Sequence, residues 1–100
     1  MKLDASESTL RKRTVGKFLR ERRIKAGLTQ MDVASRLEYS TAQFISNWER
    51  GISMPPLDTL PKLSGLLKIP PKDLIGVIIS YQEQMVRLSR KQLQGIFKGR

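Results

Sequence analysis

The stretch GLTQMDVASRLEYSTAQFISNWERG, residues 27–51, is punctuated at both ends and once in the middle. Gly27 and Gly51 stand where helices stop, because glycine enters the left-handed backbone of a C-terminal cap without a Cβ penalty. Thr29 followed three residues later by Asp32 is a carboxylate variant of the capping box. A helix therefore starts there, with Val33, Ala34 and Leu37 on its buried side. The apolar period breaks at Glu38, Tyr39 and Ser40. Ser40 with Gln43 makes a second capping signature, and the next helix, about Thr41 to Arg50, turns Phe44, Ile45 and Trp48 inward. Two short helices joined by so tight a turn cannot lie antiparallel. They cross steeply, and one side of the second stays exposed.

Upstream, Val15, Phe18, Leu19 and Ile24 recur at helical spacing from Thr14 onward, with Lys17, Arg20, Glu21, Arg22 and Arg23 largely on the other side. Residues 1–13 show no sustained apolar period and end in Arg11, Lys12 and Arg13. They read as a flexible basic arm that follows a phosphate backbone, enters a minor groove, or is simply solvated. Downstream of a connector over residues 52–56, Leu57, Leu60, Leu63, Leu66 and Leu67 mark a fourth helix. Pro61 lies inside it and removes one amide, so its first turn should be irregular. Pro70 and Pro71 punctuate again, and Asp73 suits the positive end of a fifth helix.

That last helix carries Leu74, Ile78, Tyr81, Met85 and Leu88 at alternating spacings of four and three. Such a stripe either folds back on its own core or buries itself against a second subunit. Ile75, Ile79 and Val86 widen the apolar face beyond one seam, which favours a homodimer built on those five residues. The expected fold class is all-α with five helices and a C-terminal helical extension. The expected division is an arm over 1–13, a domain over 14–79 and a dimerising extension over 80–100.

A chain of 100 residues has room for one hydrophobic core and a modest appendage. With 19 Lys and Arg against 9 Asp and Glu, its formal net charge is +10, which draws polyanions over a Debye length before any specific contact forms. Nucleic acid is the partner this favours; the basic residues are not gathered opposite a Trp/Phe/Leu face as an interfacial membrane anchor needs. Cysteine and histidine are absent, which removes disulfides, thiol chemistry and the common zinc sites. The acidic residues are scattered singly among basic ones, without the pairing that acid–base catalysis uses, so no enzyme, metal or cofactor is expected. No run approaches the roughly 18 apolar residues of a membrane span, and a secretory core is lacking at the start, so the expected location is cytoplasmic.

The segment GLTQMDVASRL, followed after a short turn by FISNWERG and then by PPLDTLPKL, resembles the phage repressor and Cro-like helix-turn-helix family, often called Xre-like. The resemblance covers roughly Val15 to Leu74. It implies a lambda-repressor-like fold and a regulator of transcription, most simply a repressor acting by occlusion, bound to double-stranded DNA as a dimer. By position, Thr41, Ala42 and Gln43 occupy the start of the recognition helix, and Ser46 and Asn47 lie one turn on. Gln43 and Asn47 can each offer a donor and an acceptor to adenine, and Ala42 an apolar contact to a thymine methyl. Gln30 matches a residue that bonds a phosphate, with Lys17, Arg50, Arg11 and Arg13 as further backbone contacts by charge and placement. Arg23 and Glu49 match positions that pair to lock the recognition helix to helix 1.

Two departures stand out. Glu38 replaces the turn glycine that tolerates positive φ. The span from Leu37 to Glu49 is also one residue longer than the common spacing, so the assignments at Ser40, Thr41 and Ala42 can slip by one. Two other functions fit the same pattern. One is a DNA-binding antitoxin whose C-terminal stripe also holds a toxin, and the other is a protein-interaction module that keeps the fold.

Overall fold

Thr29 and Asp32 close a reciprocal box at the start of α2 (Gln30–Arg36). The Thr29 hydroxyl accepts from the Asp32 amide at 3.0 Å, and the Asp32 carboxylate accepts from the Thr29 amide at 2.8 Å. Those bonds, aided by Arg36, hold the Asp32 carboxyl below its ordinary pKa. The computed structural model describes residues 2–98, with side chains from Thr14 onward. Ahead of α2 runs α1 (Lys2–Lys25); after it come α3 (Gln43–Glu49), a single 3-10 turn (Leu57–Thr59), α4 (Leu60–Leu66) and α5 (Pro71–Lys98). The chain is all-α.

Helices α1 to α4 end in one and the same way. In each, the amide two residues past the cap reaches back to a carbonyl five residues earlier. The pairs are Leu28 to Arg23 (3.2 Å), Tyr39 to Ala34 (2.9 Å), Ile52 to Asn47 (2.9 Å) and Ile69 to Ser64 (2.9 Å). This is the Schellman arrangement, and it needs a left-handed residue just before that amide. Gly27 (φ 75°) and Gly51 (φ 76°) supply it twice; Glu38 (φ 66°) and Lys68 (φ 54°) supply it without glycine. The left-handed region costs an L-residue roughly 1–2 kcal/mol, part of which glycine gives back through its freer unfolded chain. Glu38→Gly should therefore raise stability by up to about 1 kcal/mol, read as a higher urea midpoint at unchanged slope. The exposed Glu38–Lys62 pair at 3.9 Å is too solvated to offset this.

The core is one cluster. Val15 and Leu19 of α1, Val33 and Ala34 of α2, and Ile45 and Trp48 of α3 meet Leu63, Leu67 and Ile69 around α4 and Leu74 and Ile78 of α5. All are 5% exposed or less. Burial of this order, at roughly 25 cal/mol per Å² of apolar surface, is the main favourable term in folding.

Several expectations change. The backbone of residues 2–13, expected to be an arm, is helical and continues into α1, in keeping with a sequence that holds no glycine or proline before Gly16. Ile24, expected inward, is 52% exposed. Helix α3 starts at Gln43, not Thr41, because the long turn takes up residues 38–42. Its N-cap is Ala42, not Ser40; the Thr41 hydroxyl instead accepts from the Gln43 amide at 3.2 Å. Phe44 is likewise 52% exposed. Leu74 and Ile78, expected at a dimer seam, lie in the chain's own core. Pro61 falls at the first turn of α4, and the chain enters that helix through the 3-10 turn, the irregularity its missing amide calls for. Helix α5 runs unbroken across residues 79 and 80 and contains Gly95.

Candidate nucleic-acid interface

Helix α3 is seven residues long, and at about 100° per residue it sorts its side chains cleanly. Ile45 and Trp48 share the inner arc and are buried. Gln43, Ser46, Asn47 and Arg50 share the opposite arc, with Gln43 and Arg50 exposed and Ser46 and Asn47 half-buried. These four are joined. Asn47 Oδ1 accepts from Gln43 Nε2 at 2.9 Å and from Arg50 Nη2 at 3.1 Å, while Arg50 Nε donates to Ser46 Oγ at 3.2 Å. The i, i+3 and i, i+4 spacings make the ladder possible. Its effect is to hold two amides and a guanidinium extended along one ridge, so that less side-chain entropy is lost when they meet a polar surface.

Thr41 and Ala42 precede the helix in the turn, with Thr41 exposed and Ala42 half-buried. The turn is fixed by aromatic contacts. Tyr39 lies 4.8 Å from Phe44, tilted 40°, and meets Trp48 edge-on at 6.1 Å. Phe44 therefore stands at the margin of the ridge, half in contact and half in solvent.

A polar hub fixes the other end of α3. Arg23 donates to Glu49 through Nε at 2.6 Å and Nη2 at 3.0 Å, and its Nη1 donates to the Leu28 carbonyl at 2.9 Å. Gln30 Nε2 donates to Glu49 Oε1 at 3.0 Å. The Arg23 and Glu49 side chains are 12% and 4% exposed. Four pieces are thereby tied at one point: the end of α1, the turn at Leu28, the start of α2 and the end of α3. The bond from Gln30 was not foreseen, since its position suggested only an outward contact. The Leu28 carbonyl had no signal in the sequence at all. Gly16 is a further structural residue that periodicity passes over. A Cβ built there would overlap the Trp48 carbonyl oxygen and lie 2.5 Å from that of Glu49, so α1 and α3 touch backbone to backbone.

Lys17 is exposed on α1, and Arg22 lies 5.0 Å over the Phe18 ring. Arg11 and Arg13 lie outside the described side chains. Among the described residues no group of three or more Asp and Glu gathers as a metal site, and no helix is long and apolar enough to cross a membrane.

A helix-turn-helix family model matches residues 19–74, from the core of α1 to the start of α5. The chain is also similar to the HTH-type transcriptional regulator ImmR of Bacillus subtilis (strain 168), 41% identical over 63 residues. The alignment takes in 63% of this chain and 49% of the relative, so the chain spans about half the length of the curated relative it matches. No solved structure matches it.

Proposed function

Since the chain belongs to the phage repressor and Cro-like (Xre-like) helix-turn-helix family of DNA-binding domains, we propose that it is a sequence-specific transcriptional regulator, a repressor acting by occlusion. In this reading it binds double-stranded DNA as a dimer and reads the major groove with α3. One observation carries the proposal: the bonded ridge of Gln43, Asn47, Arg50 and Ser46 on the face of α3 away from Ile45 and Trp48. A major groove admits one helix, and each good bidentate pair between an amide side chain and adenine is worth roughly 1–3 kcal/mol of discrimination. Gln43 and Asn47 read bases, with Thr41, Ala42 and Ser46 at the edges of the same contact. Arg50, Lys17, Gln30, Arg11 and Arg13 are proposed to hold the phosphate backbone and set register. The net charge of +10 supplies the long-range attraction.

The test is selection of bound duplexes from a random library at fixed salt, with wild type, Gln43→Ala, Asn47→Ala and the double variant. Wild type should enrich a two-fold symmetric motif, its half-sites about 34 Å apart. Each substitution should relax particular positions by roughly 10-fold or more. Because Gln43 and Asn47 orient each other, the double variant should lose less than the sum of the two. Retained salt-sensitive binding with no enriched motif would sink sequence reading, and absence of duplex binding at low salt would point to a protein-interaction module instead.

A further inference from the structure

Among the described residues, six of the eleven exposed large apolar side chains lie on α5: Ile75, Ile79, Val86, Leu93, Ile96 and Phe97, from 45% to 75% exposed. They do not belong to the stripe that packs inward through Leu74 and Ile78. They form a second stripe, roughly 100° round the helix. Ile79, Val86 and Leu93 fall seven residues apart, and Ile75, Gln82, Ser89 and Ile96 fill the alternate positions, which is a coiled-coil seam of three heptads. We propose that this seam, not the one through Leu74 and Ile78, pairs with the same seam of a second copy of the chain, and that the two α5 helices run antiparallel. The proposal deepens the dimeric reading given above and rests on it.

Charge sets the direction. The C-terminal half of α5 carries Arg87, Arg90, Lys91 and Lys98 with no acidic residue after Glu83. A parallel pair would align these cations side by side, whereas an antiparallel pair sends them to opposite ends. Glu83 and Arg90 occupy the same flanking position of consecutive heptads. Antiparallel pairing with the two-fold axis near residues 86–88 brings Glu83 of each copy opposite Arg90 of the other, and sets Ile79 against Ile96 and Gln82 against Leu93. Parallel pairing forms no such ion pair.

The remaining geometry agrees. At its N-terminal end the seam opens onto an apolar groove of about 270 Å³, lined by Leu60, Pro61, Ser64, Pro71, Leu74 and Ile75. Antiparallel pairing in this register sets Phe97 of the second copy, 75% exposed, opposite position 78, within one turn of Ile75 at the mouth of this groove. Six half-exposed side chains at roughly 100 Å² apiece give on the order of 1,200 Å² for the pair, the lower end of stable interfaces. The axis lies about 11 residues beyond Gly76, the midpoint of the core contacts Leu74 and Ile78. At 1.5 Å per residue the two domains are then about 33 Å apart along the helices, close to one turn of DNA.

The full chain has no cysteine, so introduced thiols report cleanly. Sedimentation at micromolar concentration should give two copies for wild type and one for the double variant Val86→Glu with Leu93→Glu. Helix content of that variant should hold, because both positions are exposed, while its unfolding temperature should fall and lose the concentration dependence of the wild-type pair. Gln82→Cys and Leu93→Cys should each stay uncrosslinked alone and form a disulfide when mixed. A wild type of one copy, a double variant that still sediments as two, or crosslinks within either cysteine variant alone would each overturn the proposal. DNA reading is separable: the monomeric variant keeps its preference for a half-site, with at least 100-fold weaker binding to the full site. If wild type pairs through this seam yet ignores duplex sequence, it is the DNA reading that fails.

Discussion

Glu49→Ala should remove a large part of the domain's stability, about 3–5 kcal/mol, although it deletes one side chain from a seven-residue helix. The carboxylate is 4% exposed and accepts three bonds, two from Arg23 and one from Gln30. Its loss leaves the Arg23 guanidinium, 12% exposed, without its counter-charge, its Nη1 still donating to the Leu28 carbonyl. Breaking a buried pair costs more than the pair contributes, because the survivor keeps the desolvation penalty. Against a typical total of 5–15 kcal/mol, the thermal midpoint should fall by on the order of 20 °C. Arg23→Ala should cost nearly as much, and the double variant much less than the sum. Arg23→Met with Glu49→Leu should recover most of the loss, because an apolar pair needs no partner. Calorimetry of the four variants decides it: additive losses would mean that the hub is not a coupled unit.

Such a hub is hard to read in a sequence because its members lie 26 and 19 residues apart. Arg23 and Glu49 are identified only through family resemblance, and the bond from Gln30 to Glu49 has no signal in local spacing. Local chemistry was far more legible. Thr29 with Asp32, Gly27, Gly51 and Pro61 each act on backbone groups within a few residues, so their consequences follow from identity and spacing. Family membership and the all-α fold were legible for the same reason. The start of α3 is not, because Ser40 and Thr41 are both good caps, and the extra residue between Leu37 and Glu49 does not say whether the turn or the first winding of the helix absorbs it. Phe44 and Ile24 share the helical period of buried neighbours, but each sits at the edge of its arc, where coverage depends on how closely the next helix approaches. The two stripes of α5 are adjacent, and both are largely apolar. The approach of α5 to α1 and α4 decides which of them the core takes, and that angle is a tertiary quantity. The placement of Gln43, Ser46 and Asn47 along one ridge needed only the 3.6-residue period, whereas the bonds from Arg50 to Asn47 and Ser46 needed coordinates.

Gly16→Ala should be far more damaging than the single methyl it adds would suggest. Inside an exposed helix the same substitution helps by about 1 kcal/mol, since alanine restricts the unfolded backbone and glycine does not. Gly65 shows that case: nothing lies within 4 Å of its built Cβ, so Gly65→Ala should stabilise. At Gly16 the new methyl meets the carbonyls of Trp48 and Glu49, both backbone, which cannot swing away as a side-chain tip can. Relief requires α1 and α3 to separate. That movement would lengthen the Arg23–Glu49 bonds and open the packing of Val15 and Leu19 against Ile45 and Trp48. Overpacking alone typically costs about 1–3 kcal/mol, and strain on the hub adds to it. The expected net loss is about 3 kcal/mol or more, against a gain at Gly65 of opposite sign. Urea unfolding of the two variants compares them directly, and a neutral Gly16→Ala would mean that α1 and α3 do not cross at backbone contact. Since α3 carries the ridge from Gln43 to Arg50, the Gly16 variant should also weaken binding to duplex DNA without relaxing any one base position. That uniform loss separates a displaced reading helix from a missing reading side chain.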